Sequence, residues 1–163
     1  MDYHDQPPPG RSSQPAAHLT PPAQFEWTRK PGTGPGLGVL GRLTGAKVVE
    51  LGCGSGHNLA CLARSHRLTA TGVDHDAAKI QRARACYGRL PGLRFTCSDA
   101  AQFLDQAAPG SADLVLSIFG AFSFADPLPL LTATASLLRP GGLLAITLRA
   151  SDEHDQVIVL RRR

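Results

Sequence analysis

One stretch constrains this chain more than any other: Val48-Val49-Glu50-Leu51-Gly52-Cys53-Gly54-Ser55-Gly56-His57-Asn58. It reads as a short β-branched strand, a glycine loop and the start of a helix. Glycines let the backbone turn sharply and approach a ligand closely. The helix that follows presents unpaired N–H groups. A loop of this kind sets a nucleotide-like ligand at the carboxyl ends of the strands. Spacing excludes two relatives of the motif. The dinucleotide fingerprint is GxGxxG, but the glycines here stand at 52, 54 and 56, and the third position after Gly54 is His57. A P-loop requires Gly-Lys-Ser/Thr, which occurs nowhere in the chain. Glu50 immediately before the loop would repel phosphate oxygens and suits a cationic ligand better.

Strand and helix signals alternate around this motif. Lys47–Leu51 is a buried strand and 57–66 a short helix with Leu59, Leu62 and Ala63 on one face. A second strand covers 69–73. Asp76 is placed to cap a helix that runs to about Gly88. Leu93–Cys97 is a third strand, 100–107 a helix, and 113–118 a fourth strand buried on both faces. Pro127 or Pro129 opens a helix to Leu138. Arg139-Pro140-Gly141-Gly142 reads as a tight turn before a fifth strand over 143–148. The leucines of 37–43 have helical spacing, weakened by glycine. The alternation predicts an α/β fold: a doubly wound, mainly parallel sheet in three α/β/α layers, with right-handed crossovers.

Composition bounds the rest. A chain of 163 residues is one domain. Eight of its thirteen prolines lie within residues 1–36, and Leu19 is the only Leu, Ile, Val or Phe before Phe25. Residues 1–23 therefore read as a disordered Pro-rich tail and 24–163 as the folded domain. The segment Phe25-Glu26-Trp27-Thr28-Arg29-Lys30-Pro31-Gly32 carries the only tryptophan; it either covers the edge of the core or forms a ligand lid. No apolar run reaches the roughly 20 residues that span a bilayer, and no secretory leader opens the chain. Four cysteines show no CxxC pairing or zinc spacing, which argues for free thiols in a reducing, cytoplasmic setting and for no metal. Net charge +4 without a basic, aromatic-studded stripe argues against nucleic acid.

Two further carboxylates end strands. Asp74, in Gly72-Val73-Asp74, follows Glu50 by 24 residues and can accept from ribose hydroxyls. Asp99, in Ser98-Asp99-Ala100, can accept from an exocyclic amine. Helix capping is the plainer role for both.

With these residues in place, the chain resembles the class I, Rossmann-like S-adenosylmethionine-dependent methyltransferases of the small-molecule type over about residues 25–149. The glycine motif from Glu50 to Gly56, Gly72-Val73-Asp74, Ser98-Asp99-Ala100 and Leu138-Arg139-Pro140-Gly141-Gly142 match the family's motifs in order. A softer likeness extends to Ser117-Ile118-Phe119-Gly120-Ala121-Phe122. The resemblance implies a site for S-adenosyl-L-methionine built by Glu50, Gly52, Cys53, Gly54, Gly56, Asn58, Asp74, His75, Asp99, Ala100 and Ser117. It implies a small-molecule methyl acceptor, with no catalytic base standing out. His57 and Cys53 read as a loop residue and a space filler. Phe119, Phe122 and Phe124 are either core or the floor of an acceptor pocket. The family's sheet has seven strands with an antiparallel hairpin after the fifth. Here Val157-Ile158-Val159-Leu160 can supply one strand but not two, so the expectation is an incomplete C-terminal hairpin and an exposed strand-five edge through which a homo-oligomer could form. A non-catalytic cofactor-binding or assembly module is the alternative function, and a nicotinamide-dependent oxidoreductase is disfavoured by the glycine spacing.

Overall fold

A computed structural model describes residues 20–163. The strands are β1 (Lys47–Leu51), β2 (Thr69–Asp74), β3 (Leu93–Cys97), β4 (Ala112–Ile118), β5 (Leu138–Arg149) and β6 (Asp155–Arg161). The helices are α1 (His57–Ser65), α2 (Ala77–Tyr87), α3 (Ala100–Gln106) and α4 (Pro127–Leu137). The sheet order is β3-β2-β1-β4-β5-β6. The first five strands run parallel and β6 runs antiparallel to β5. The order reverses between β1 and β4, which opens a crevice at their carboxyl ends.

The three layers follow from the strand residues themselves. Successive side chains point to opposite faces. Val48 joins a core with Leu59 and Leu62 of α1 and Ile80 of α2. Val49 and Leu51 join a second core with Leu104 of α3 and Leu130 and Leu137 of α4. On β4, Leu114 and Leu116 face the first core and Val115 the second. Both faces of the inner strands are therefore apolar, as a parallel sheet requires. The helix starts are set by local chemistry: Asp76 accepts from the amides of Ala78 and Lys79, and Asp126 accepts from Leu128 just as Pro127 takes the first helical position.

Three sequence expectations shift. The 37–43 helix is only a short 3-10 turn, Leu37–Leu40, closed by Gly41 at φ 72°. The expected turn at 139–142 stays within β5: the register with β4 jumps from Ala112↔Leu138 to Leu114↔Leu143, so these residues bulge out of the ladder. Gly141, at φ 76°, supplies the backbone the bulge needs, and Arg139 is held by an ion pair to Asp113. The strand-five edge is not exposed. Residues 143–149 of β5 pair with β6 along its length, so the oligomer surface expected at β5 is already filled, and β6 is the outermost of the described strands.

Most of the expected tail lies outside the described residues. Where description begins, the chain runs as a strap across the carboxyl-end side. The Pro21 carbonyl accepts from Arg64 Nη1 at 3.0 Å. Phe25 and Trp27 are buried in the first core, with ring centroids 4.8 Å apart, edge to face. Arg29 reaches β6, where its backbone N–H and its Nε both donate to the Asp155 carboxylate at 2.8 Å.

Candidate functional site

The glycine loop is held in a shape that other residues adopt only at a cost. Gly52, Gly54 and Gly56 have φ of 81°, 54° and 79°. A Cβ on Gly52 would stand 2.5 Å from the Gly120 Cα, because β1 and β4 deliver their loops against each other. The amides of Gly52 and Cys53 both donate to the Val73 carbonyl, at 2.8 and 3.0 Å. The loop therefore lies over the end of β2 and brings its carboxylate within reach.

Asp74 is the brace. Its Oδ2 accepts from the Gly54 amide at 2.8 Å and its Oδ1 from the Asp76 amide at 2.9 Å. The capping role belongs to Asp76, two residues on, and Asp74 instead ties the glycine loop to β2. Each carboxylate oxygen keeps a second lone pair for a ligand. Asp99 does cap, accepting through Oδ1 from Ala101 and Gln102 at 2.8 and 3.2 Å. Its Oδ2 is left for a ligand, so capping and ligand binding are compatible there.

Glu50 differs from both. It is 3% exposed, and its Oε2 has no hydrogen-bond partner among the described residues. Burial, and then the neighbouring Asp74 charge, push its carboxyl from the usual 4.5 up to about 8. A buried carboxyl without a partner beside a cleft can take a cationic or hydrogen-bonding group.

These groups line one cleft of about 1020 Å³. Its floor is formed by Glu50, the loop from Gly52 to Ser55, and Asp74. His75, Asp99 and Ala100 flank one end. The other end is walled by the strap residues Gln24, Glu26, Thr28 and Arg29, and by Phe119, Phe124 and Leu130.

Four sequence candidates behave differently from the rest. Asn58 lines the cleft, but its amide serves the strap: Oδ1 accepts from Glu26 N–H and Nδ2 donates to Glu26 C=O, both at 3.0 Å. Ser117 is fully buried and lies off the cleft; its Oγ accepts from the Phe122 amide at 3.3 Å and braces the loop after β4. Gly56 also stands off the cleft wall and gives close packing instead, since a Cβ there would lie 2.5 Å from the Phe95 ring. Cys53 packs its thiol against Gly72, and burial pushes that thiol's pKa up, so it fills space and is no nucleophile. His75 borders Asp74 at 3.8 Å with its side chain largely in solvent. The phenylalanines divide: Phe122 is core, while Phe119 and Phe124 face the cleft, Phe119 with a left-handed φ of 49°. The strap was expected either to cover the core edge or to form a ligand lid, and its residues divide: Phe25 and Trp27 lie in the core while Gln24, Glu26, Thr28 and Arg29 line the cleft. Its signal was the one tryptophan followed by Thr-Arg-Lys-Pro-Gly in an otherwise polar stretch.

Comparison with known proteins gives this fold a family. A family profile described as a methyltransferase domain matches residues 49–146, more than half of the chain. Trans-aconitate 2-methyltransferase of Deinococcus radiodurans is 39% identical over 110 residues, covering 67% of this chain and 40% of that protein. A phthiotriol/phenolphthiotriol dimycocerosates methyltransferase of Mycobacterium ulcerans is 35% identical, covering 68% and 41%. Among solved structures, an S-adenosylmethionine-dependent methyltransferase from Thiobacillus denitrificans, in complex with S-adenosyl-L-homocysteine, superposes with a TM-score of 0.57 at 26% identity. That superposition covers 67% of this chain and 44% of that one. The chain belongs to the class I, Rossmann-like S-adenosylmethionine-dependent methyltransferase family. It spans about 40% of the length of the curated relatives it matches.

Proposed function

We propose that this chain binds S-adenosylmethionine in the cleft and transfers its methyl group to a small-molecule acceptor. The observation that carries the reading is the Glu50 carboxyl, buried and unpartnered beneath a loop of left-handed glycines. A cofactor bearing an ammonium and a sulfonium suits that group, and a pyrophosphate does not. When bound, the cofactor supplies a methyl group on a positively charged sulfur that leaves as a neutral thioether.

The residues then divide the work. The amides of the glycine loop and Glu50 hold the methionine part. Asp74 accepts from the ribose hydroxyls while it keeps the loop in place. Asp99 accepts from the adenine amine through its free Oδ2, with His75 and Ala100 beside it. On the acceptor side, the strap and the Phe119–Phe124 wall exclude water and fix the approach of the nucleophile. Rate enhancement in such a transfer rests largely on proximity and orientation. The trans-aconitate named for the Deinococcus protein supports a small acceptor rather than nucleic acid. Among the described residues no helix is long and apolar enough to cross a membrane, and the four free cysteines support a reducing cytoplasm.

Calorimetry with S-adenosylmethionine and S-adenosyl-L-homocysteine tests the shared step. Both ligands should bind, and Asp74→Ala should weaken them by about 1–3 kcal/mol, the scale of hydrogen bonds to a charged group. Failure of both to bind the folded protein would overturn the assignment. Binding with no turnover across a panel of small-molecule acceptors would leave a cofactor-binding module instead.

A further inference from the structure

Glu50 sits where its own charge is poorly supported. Side chains alternate along β1, so Glu50 shares a face with Val48 and turns toward the first core. Its neighbours in the ladder are Gly72 of β2 and Leu116 of β4. Oε2 is enclosed without a donor among the described residues. The ion pairs among those residues join Arg29 to Asp155, His75 to Asp74, Lys79 to Asp76 and Arg139 to Asp113, and Glu50 enters none of them. The surrounding titratable groups do not help it. Asp74, at the end of β2, adds a like charge, and burial keeps the Cys53 thiol of the glycine loop protonated. On β4, Leu116 and Ile118 carry no charge. The other charged or titratable groups of the cleft are His57 at the start of α1, Glu26 and Arg29 of the strap, and His75, Lys79 and Asp99. Both basic chains, Arg29 and Lys79, already face acids of their own. A carboxylate without donors in such surroundings is far less stable than a neutral carboxyl.

We propose that Glu50 holds a proton in the ligand-free protein and gives it up to solvent when the cofactor's ammonium arrives, so that cofactor binding and proton release are one event. The step rests on the cofactor-binding reading proposed above, and its balance is simple. Protonated protein and cationic ligand give the complex and one free proton. The ammonium is the group that does this, because it brings both a positive charge and N–H donors, whereas the sulfonium brings charge alone. S-adenosyl-L-homocysteine keeps that ammonium after the methyl group has left. Glu50 therefore stays ionised through methyl transfer and takes its proton back only when the product departs. Burial and Asp74 put the ligand-free carboxyl at about 8, and an ammonium beside it draws it back toward the ordinary carboxylate range. Below that value each binding event expels a proton. Affinity should then rise about tenfold from about pH 6 to about pH 7.

Calorimetry of the full chain with S-adenosyl-L-homocysteine, at about pH 6.5 in buffers of different ionisation enthalpy, counts the protons. Release close to one proton is expected. Methylthioadenosine keeps the adenosine and the thioether but lacks the ammonium, and it should bind without release. Glu50→Gln should bind S-adenosyl-L-homocysteine more weakly, release no proton and lose the pH dependence, which separates Glu50 from His57 and His75 in the same cleft. Infrared difference spectroscopy of the unaltered chain covers the case in which that variant does not fold. A neutral-carboxyl band should be present in the ligand-free protein at the same pH and vanish when S-adenosyl-L-homocysteine is added. Binding with heats that do not depend on the buffer overturns the proposal and leaves the cofactor assignment standing. Release that persists in Glu50→Gln, release that methylthioadenosine matches, or a ligand-free protein without the neutral-carboxyl band overturns it as well. Failure of S-adenosyl-L-homocysteine and S-adenosylmethionine to bind overturns the cofactor assignment, and the proton release with it.

Discussion

The two ends of the cleft are built in opposite ways. The glycine-loop end is made by neighbouring strand ends: Asp74 holds Gly54, the loop amides meet the end of the adjacent strand, and Gly52 lies against Gly120. The acceptor end is assembled from distant pieces. Asn58 holds Glu26 across 32 residues, and Arg29 holds Asp155 across 126. The first end depends on backbone shape, the second on a few side-chain bonds over two buried aromatics. The loop end should therefore tolerate almost no change of backbone, and the strap end should loosen without loss of the fold.

The largest effect should come from Gly52→Val. The new side chain needs a left-handed φ and collides with the backbone at Gly120. A loss of about 4 kcal/mol or more is expected in urea unfolding, given strain and overpacking together. A variant of near-normal stability would show that the loops after β1 and β4 are not in contact.

Glu50 should produce the next effect, with opposite signs for stability and binding. Its folded pKa is raised, so the folded protein holds a proton that the unfolded chain releases. Stability without ligand should then fall as pH rises from about 4.5 to about 8 and level off above. Glu50→Gln should remove that slope and stabilise the ligand-free protein at pH 9 by on the order of 3 kcal/mol. The same variant should bind S-adenosylmethionine more weakly. A pH slope that survives the substitution would place the titrating group elsewhere.

Asn58→Ala breaks two bonds to the Glu26 backbone and should cost about 2 kcal/mol. Hydrogen exchange should quicken at residues 24–29 and stay unchanged at Gly54 and Asp76. Quickening at the loop as well would mean that the two ends are not separable. Arg29→Met should be the mildest change. Its guanidinium is partly exposed, and ion pairs of that kind add little to stability. The Arg29 contacts, with burial working against them, hold Asp155 below the usual carboxylate range. Any stability the pair adds is present above the ordinary carboxylate pKa and lost as pH falls through the lowered one.

The same contrast explains what was legible beforehand. The alternation of strands and helices and the caps at Asp76 and Asp99 rest on periodicity or on bonds within a few residues, and both leave marks in sequence. Asn58 and Ser117 looked like ligand residues because they lie beside the right motifs. Their partners, Glu26 and Phe122, are fixed by tertiary packing, and position in a motif does not report which way a side chain turns. Arg139–Gly142 carries every turn signal, yet Leu138 and Leu143 on either side of it pair with β4 and Arg162 bonds to Gly141 and Gly142, so the segment bulges without ending the strand. The strap was legible only as two alternatives, a cover for the core edge or a ligand lid, because the Asn58 and Arg29 contacts that set its path join residues far apart in sequence.

The Asn58 side chain makes the two bonds that a peptide group of an adjacent strand would make. An amide on a helix thereby stands in for a strand, and the strap is zipped on without joining the sheet. Its release needs the Asn58 and Arg29 bonds to let go and also Phe25 and Trp27 to leave the first core, while the β-ladder is untouched. The polar contacts therefore set where the strap lies, and the two aromatics set how firmly it stays there.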